Sequence, residues 1–234
     1  MEKLNYRHEL KFICSDQRLF LLENKIRHIC VSDSHACSGG TYVVRSLYFD
    51  TYDNKCLLEG MAGTDNRRKY RVRIYNRDNE TIKLECKHSF RGMKAKETCL
   101  ISREQCECLI NDVPVGEMES SQELLRRFMW EKSTKLLKPK VIVEYTRAPY
   151  VYTLGNVRVT FDRDICSSAD VSRFLEKDIQ RRGILQEGKQ LLEVKYDEAI
   201  PSIVLELLTA DQQLSRISFS KYVLCRQYGM NWDN

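Results

Sequence analysis

The chain has 234 residues, of which 42% are hydrophobic, and its 38 Lys and Arg against 33 Asp and Glu give a net charge of +5. This length and apolar content suffice for a sizeable core without disulfide or metal staples, and so small a charge excess does not by itself indicate a nucleic-acid-binding protein. No stretch approaches the roughly 18 consecutive apolar residues of a membrane helix, and the N-terminus lacks a signal-peptide pattern. We therefore expect a cytoplasmic chain without a membrane segment, whose ten cysteines are reduced.

The residue patterns predict elements along the whole chain. Period-two and β-branched segments predict strands at residues 6–13, 42–50, 68–76, 81–88, 94–101, 140–147, 156–163 and 190–197. Helices are predicted after the cap Ser15, within 51–63, over a block at 102–136 that Pro139 ends, from Pro201 through Leu208, and from Ser218 to Tyr228. No linker or repeat divides these elements, so we expect a single domain over residues 1–234. About eight antiparallel strands with added helices predict an α+β fold whose sheet curls closed on itself.

Four of the predicted strands alternate charged and apolar residues. They are Arg7-His8-Glu9-Leu10-Lys11-Phe12, Lys69-Tyr70-Arg71-Val72-Arg73-Ile74, Ile82-Lys83-Leu84-Glu85-Cys86-Lys87 and Leu192-Glu193-Val194-Lys195-Tyr196. Such alternation gives a strand one apolar and one charged face, and here the charged faces are mostly Lys and Arg. If these faces point toward one another, they form an anion-binding cavity, and helices outside must cover the apolar faces.

The motifs, taken in order, resemble those of the VTC domain, the polyphosphate polymerase module of the triphosphate tunnel metalloenzyme (CYTH-like) superfamily. Besides the alternating strands, the resemblance rests on Ser46-Leu47-Tyr48-Phe49-Asp50-Thr51, Tyr145-Thr146-Arg147, Arg158-Val159-Thr160-Phe161-Asp162 and Ser218-Phe219-Ser220-Lys221-Tyr222. It implies an antiparallel, basic tunnel of about eight strands with helices packed outside. It also implies transfer of the terminal phosphoryl group of ATP onto inorganic polyphosphate with Mn²⁺ or Mg²⁺, and pyrophosphate is a candidate primer.

The resemblance also implies roles for individual residues. The catalytic set is Arg71, Arg73, Lys87 and Glu193, and the phosphate- and nucleotide-binding set is Lys11, Lys94, Lys96, Arg147, Arg158, Lys221 and Ser220. Arg offers a planar fork for phosphate oxygens and Lys a movable point charge, so a tunnel through which its product slides can use both. Glu193 matches the metal-binding glutamate, whereas Glu9 and Glu85 either assist the metal or tune neighbouring lysines.

Three alternatives stay open at this point. A triphosphate hydrolase of the same superfamily would favour a Glu-x-Glu-x-Lys first strand, and this chain has Arg7-x-Glu9-x-Lys11 instead. A non-catalytic polyphosphate-binding module would bind the polymer without ATP turnover. Nucleic-acid binding would need aromatic residues among the basic ones, but Tyr70 falls on the apolar face, so no nucleic-acid partner is expected. One departure from the family pattern is Ser218, where some polymerases have Lys.

Overall fold

A computed structural model describes residues 4–33, 40–113, 122–210, 214–218 and 220–228 of the chain. The strands are β1 His8–Ser15, β2 Val31–Ser32, β3 Tyr42–Asp50, β4 Arg67–Tyr75, β5 Asp78–Phe90, β6 Met93–Ile101, β7 Lys138–Tyr152, β8 Val157–Ser168, β9 Arg182–Gly183, β10 Lys189–Tyr196 and β11 Ser215–Arg216. The α-helices are α1 Asp16–Ile29, α2 Lys55–Met61, α3 Arg103–Ile110, α4 Glu123–Lys135, α5 Ser202–Thr209 and α6 Lys221–Gln227. In these ranges no helix has both the length and the apolar character needed to cross a membrane.

The strands form one antiparallel sheet of eleven strands, so the predicted count of eight was wrong. The additional strands β2, β9 and β11 have two residues each, too few to show a periodic pattern. The long strands follow the order β1-β10-β8-β7-β3-β4-β5-β6. Arg7, just before β1, and Lys94 on β6 exchange two backbone hydrogen bonds of 2.9 and 2.8 Å. These bonds bring the two edges together, and the sheet closes into a barrel.

The block predicted as helical over residues 102–136 contains two helices, α3 and α4, and residues 114–121 between them lie outside the described residues. Pro139 does not end α4, which stops at Lys135; it lies inside β7, opposite Phe49. The register between β3 and β7 shifts between Tyr48 and Phe49, and such irregularities tolerate a proline that cannot donate a ladder hydrogen bond.

Apolar residues on the outer face of the barrel pack against two helical layers. In the first layer, Leu109 of α3 and Phe128 of α4 cover Leu84 of β5. In the second, Ile26 of α1 and Val204 of α5 belong to the cluster that covers β1, β8 and β10. Burial of these side chains contributes about 1.5–3 kcal/mol each. Because the strands alternate, the same packing turns the alternating charged residues of β1, β4 and β10 toward the lumen.

Helix α6 packs against the inner face of the barrel. Its Tyr222 and Cys225 pack with inward-facing residues such as Val143 and Leu191. The Tyr222 hydroxyl donates to Asp50, a fully buried carboxylate that also accepts from the backbone N–H groups at the start of α2. A Cβ added at Gly60 of α2 would lie 2.7 Å from Val223 Cγ2, so only glycine permits this approach of the two helices. The packing places the first residues of α6 at the lumen.

Candidate active site in the barrel lumen

Three cavities follow one another along the inner face of β4. The first mouth, about 560 Å³, is lined by Arg67 and Lys69 of that strand. The central cavity, about 70 Å³, is lined by Lys69, Arg71 and Arg73. The second mouth, about 400 Å³, is lined by Arg71, Arg73 and Tyr75. Neighbouring cavities share lining residues, and Lys87 of β5 borders all three, so they form one continuous lumen.

In the part of the chain that the structure describes, the charged residues that line the central cavity are cations and a single carboxylate. Its charged lining residues are Lys11, Lys69, Arg71, Arg73, Lys87, Arg147, Glu193, Lys195 and Lys221. Glu193 is 4% exposed, and its Oε1 lies 2.7 Å from Lys195 Nζ, whereas its Oε2 is 4.0 Å from the ammonium groups of both Lys11 and Lys221. Burial opposes ionisation of Glu193, but these ammonium groups outweigh it and hold the pKa well below its usual range. The carboxylate is therefore ionised.

The carboxylates Glu9 and Glu85, which were candidates for metal binding, form close ion pairs with lysine and arginine side chains. Glu9 lies 2.6 Å from Lys11 Nζ and 2.8 Å from Lys87 Nζ. Glu85 lies 2.6 Å from Arg71 Nε and 2.6 Å from Lys96 Nζ, and it lines none of the three cavities. Both carboxylates thus orient the cations that face the lumen.

Asp162 of β8 also orients cations that face the lumen. It was not predicted as a site residue. Its two oxygens accept from Arg147 Nε and Nη2 at 2.6 and 2.7 Å, and Lys221 Nζ lies 2.6 Å away. The side chain is fully buried. The signal was present in the sequence, since Asp162 continues the alternation Arg158-x-Thr160-x-Asp162 on a predicted strand. Two lysines that line the central cavity, Lys69 and Lys195, were likewise not assigned to the site although they belong to the alternating segments.

Tyrosines and hydroxyls fix the arginines of the lumen. Arg71 Nη1 donates to the Tyr48 hydroxyl at 2.9 Å, and Arg73 Nε donates to Ser46 Oγ at 3.1 Å. The Tyr145 ring lies under two cations, with its centroid 4.6 Å from Lys221 Nζ and 5.1 Å from Arg147 Cζ. Sequence reasoning assigned no role to these tyrosines, because a strand tyrosine is equally typical of an apolar face.

The remaining predicted residues lie toward the mouths. Lys94 borders both mouths and donates to Ser89, and Lys96 borders the second mouth. Ser220 caps α6, lines both the first mouth and the central cavity, and accepts from Lys69 Nζ at 3.2 Å. Arg158 is paired with Asp33 at 3.0 Å at the second mouth, and it does not line the central cavity with the other arginines. The lumen thus gathers the predicted cations in two groups, a central group and a rim.

Burial, together with neighbouring positive charge, lowers the pKa of two lysines that line the central cavity. Burial lowers the pKa of Lys87, Lys11 lowers it further and Glu9 opposes the shift, which leaves a pKa of about 7. Burial and the charge of Lys11 lower the pKa of Lys69 to about 8. An anion in the lumen would favour the charged form of both groups. A bound anion would therefore stabilise the protonated forms of Lys69 and Lys87.

The lumen also suits a divalent cation beside a phosphate. Mg²⁺ and Mn²⁺ prefer oxygen ligands and take one or two carboxylates together with phosphate oxygens and water. Glu193 meets this requirement, since it faces the central cavity and its Oε2 has no cation closer than 4.0 Å among the described ion pairs. Glu9 and Glu85 are less suited because lysine and arginine groups already contact them closely.

Comparison with known proteins agrees with this architecture. A protein from Bacillus halodurans proposed as an adenylate cyclase has 14% sequence identity and a TM-score of 0.54, with 92% of this chain and 93% of that chain covered. A proposed adenylyl cyclase from Hippeastrum, described as having a dominant triphosphatase activity, has 15% identity and a TM-score of 0.56, with 95% and 96% covered. At such identities the likeness shows the fold, which is that of the triphosphate tunnel proteins.

Sequence comparison identifies the family. Among curated proteins no sequence matches the chain. The family model of the VTC domain, however, matches residues 6–228, which include every strand and helix described above. This confirms the resemblance seen in the ordered motifs: the chain belongs to the VTC domain family.

Proposed function

We propose that residues 1–234 act as one tunnel domain, a metal-dependent polyphosphate polymerase that transfers the γ-phosphoryl group of ATP onto inorganic polyphosphate. One observation carries the proposal: the lumen is lined by cations at both mouths as well as at its centre. A site for a compact triphosphate needs cations around a single cavity. A lumen with charge along its whole course suits a linear polyanion that extends from the reaction centre.

The central cations match what phosphoryl transfer requires. The transferred group carries its charge on three equatorial oxygens, and catalysis depends on positioning and on neutralising that charge. Arg71, Arg73 and Arg147 are each held on one side by a carboxylate or hydroxyl, so their remaining donors face the cavity. Lys11, Lys87 and Lys221 add charges on flexible stems. Such preorganised cations stabilise the transition state without having to reorient during the reaction.

Glu193 is the residue that would hold the metal ion, with phosphate oxygens and water as the other ligands. When bound, Mg²⁺ or Mn²⁺ supplies a positive charge that polarises the phosphoryl oxygens and neutralises the charge that develops on the leaving group. The two nearby ammonium groups, Lys11 and Lys221 at 4.0 Å from Oε2, leave space at that oxygen.

The nature of the acceptor favours transfer to a phosphate. The terminal oxygen of a polyphosphate chain is already anionic, so it can bond to the γ-phosphorus of ATP while the bond from that phosphorus to the bridging oxygen breaks and ADP leaves. Attack by water would also require a group to take a proton. Among the described residues that line the central cavity Glu193 is the one carboxylate, and in its proposed place beside the metal it would not be available for that task.

Hydrolysis is the second candidate, and the Hippeastrum protein with its described triphosphatase activity is the observation that favours it. In that case the same cations would bind a triphosphate and water would replace the polyphosphate acceptor. A polyphosphate-binding module without turnover is the third. The three functions differ in their products, so one assay separates them.

The deciding experiment incubates the purified chain with ATP and Mn²⁺ or Mg²⁺, with and without pyrophosphate, and measures polymer on a stained gel and free phosphate in the same sample. We expect a ladder of long anionic polymer that requires metal. Free phosphate without polymer would replace the proposal by hydrolysis, and tight polyphosphate binding with neither product would replace it by the binding module.

Two variants make the assay specific. Glu193→Gln removes the central carboxylate with little change in volume, and we expect it to abolish the polymer. Glu206→Gln changes an exposed carboxylate of α5 on the outside of the barrel, and we expect wild-type activity. Polymer synthesis that persists in Glu193→Gln would contradict the role given to this residue.

A further inference from the structure

The outer face of the β5–β6 hairpin carries a second group of metal-ligand residues. Cys86 and His88 are two residues apart on β5 and so lie on one face of the strand, and Glu97 on β6 lies directly opposite Cys86. The thiol, imidazole and carboxylate donor atoms all lie within 4.8 Å of one another. This arrangement follows from strand register alone, since a residue, its cross-strand partner and the next residue on the same face are neighbours.

We propose that Cys86, His88 and Glu97 form a Zn²⁺ site. A thiolate, an imidazole and a carboxylate are the three ligand types that Zn²⁺ accepts together, whereas Mg²⁺ and Mn²⁺ favour oxygen. With three protein ligands the ion keeps a fourth position for water. The proposal is independent of the function proposed for the lumen, where the lining residues of the central cavity include neither cysteine nor histidine.

The burial of the three residues suits an open site at the edge of a core. Cys86 is fully buried in the apolar cluster beneath α4, while the side chains of His88 and Glu97 are 17% and 26% exposed. His88 also lines the first mouth. The thiol thus approaches from the core and the other two donors from the solvent side, which leaves a route for an ion and space for a water ligand.

Neighbouring residues orient the carboxylate. Arg127 Nη2 lies 2.6 Å from Glu97 Oε1, and Arg127 Nε lies 3.4 Å from the Tyr70 hydroxyl. The contact of His88 with Glu97 also uses Oε1, so in the proposed site Oε2 would bind the ion. Hydrogen bonds that orient a ligating carboxylate are a regular feature of metal sites. On binding, the Zn–S bond forms as the thiol proton leaves to solvent, and the imidazole exchanges its hydrogen bond to Glu97 for the ion.

Cobalt provides a direct test because a Co²⁺–thiolate bond absorbs in the near ultraviolet and a tetrahedral Co²⁺ site absorbs in the visible range. The full chain, freed of metal by chelation, is titrated with Co²⁺ in phosphate-free buffer. We expect a thiolate charge-transfer band that saturates at one equivalent and disappears when Zn²⁺ is added. Co²⁺ held by Glu193 in the lumen would give no such band, and absence of the band in the wild-type chain overturns the proposal.

Matched variants assign the band to its residues. We expect Cys86→Ser to abolish the band and Cys99→Ser to retain it, because Cys99 lies on β6 but outside the cluster. Since Cys86 is buried, circular dichroism must confirm that Cys86→Ser folds. His88→Gln changes a residue at the edge of the core, and it is expected to remove saturation at one equivalent whether or not the cysteine variant folds. A band that persists in both Cys86→Ser and His88→Gln contradicts the assignment.

Discussion

Two arginines on neighbouring strands, Arg45 of β3 and Arg73 of β4, are both buried, and they differ in what their guanidinium groups meet. Arg45 points to the outer side of the barrel, where Glu144 accepts at 2.5 Å and the carbonyls of Phe174, Glu176 and Lys177 occupy its other nitrogens. Arg73 points inward, donates to Ser46 and lies 3.7 Å from Glu85. Both regions thus bury a charged arginine. They differ because the arginine in the lumen keeps N–H donors that no protein group uses in the described hydrogen bonds, and these donors can bind a ligand.

The largest expected effect is a loss of stability when the contacts of Arg45 on the outer side of the barrel are removed. Replacing Arg45 by Met leaves Glu144 without one partner and three carbonyls without donors, so we expect the free energy of unfolding to fall by about 3–5 kcal/mol. Urea unfolding followed by circular dichroism measures this change. A loss below about 1 kcal/mol would mean that Arg77 and Arg181, which also contact Glu144, hold the region without Arg45.

The inner arginine should behave in the opposite way. We expect Arg73→Met to change the free energy of unfolding little, since Ser46 loses one hydrogen bond and Glu85 retains Arg71 and Lys96. Affinity for tripolyphosphate, measured by calorimetry, should fall by about 10- to 100-fold, the equivalent of roughly 1.5–3 kcal/mol for charged hydrogen bonds. Unchanged affinity together with lower stability would place Arg73 in the same class as Arg45.

A charge-neutralising change in the lumen sharpens the contrast further. Glu193→Gln removes the single carboxylate of the central cavity, so metal-free binding of tripolyphosphate should tighten by about fivefold through lost repulsion. The enhancement of binding by Mn²⁺ should disappear in the same variant. Calorimetry with and without Mn²⁺ measures both effects, and weaker metal-free binding would show that Glu193 supports the cations rather than the metal.

The smallest effect concerns pH. A bound phosphate favours the charged form of Lys69, so its contribution to affinity is complete well below its pKa of about 8 and is lost as pH rises through that value. We expect affinity for tripolyphosphate to fall a few-fold more in the wild type than in Lys69→Arg between about pH 7 and pH 9, because arginine stays charged. The two proteins share every other ionisable group, so parallel pH profiles would refute the contribution of Lys69.

The barrel could be predicted from sequence because its lumen is polar. In an ordinary small barrel both strand faces contain apolar residues, whereas here the pattern from Lys69 to Ile74 separates the two faces by charge. The same pattern placed Arg71, Arg73 and Lys87 on the lumen side, where the structure has them. Neither the register of those strands nor the presence of the three two-residue strands produces a periodic pattern, so neither could be predicted from the sequence.

The roles of the individual residues inside the lumen were harder to predict from the sequence. Glu9, Glu85 and Glu193 look alike in sequence, each two residues from a lysine, and they are distinguished only by cross-strand neighbours. Glu85 faces Arg71 across β4 and β5, whereas Glu193 faces Lys11 on one side and Thr160 on the other, which leaves it at the central cavity. Arg158 was grouped with the other arginines, but its pairing with Asp33, distant in sequence, holds it at the second mouth.

The closure of the barrel is uneven around its circumference. Neighbouring long strands share ladders of several residues, but within the described ranges β1 and β6 meet through one bridge, between Arg7 and Lys94. Local opening therefore costs least along this line, and the amides of these two residues should exchange with solvent earlier than those of the adjacent ladders. In the proposed polymerase, parting along this line would let a polyphosphate chain enter the lumen from the side, without threading through either mouth.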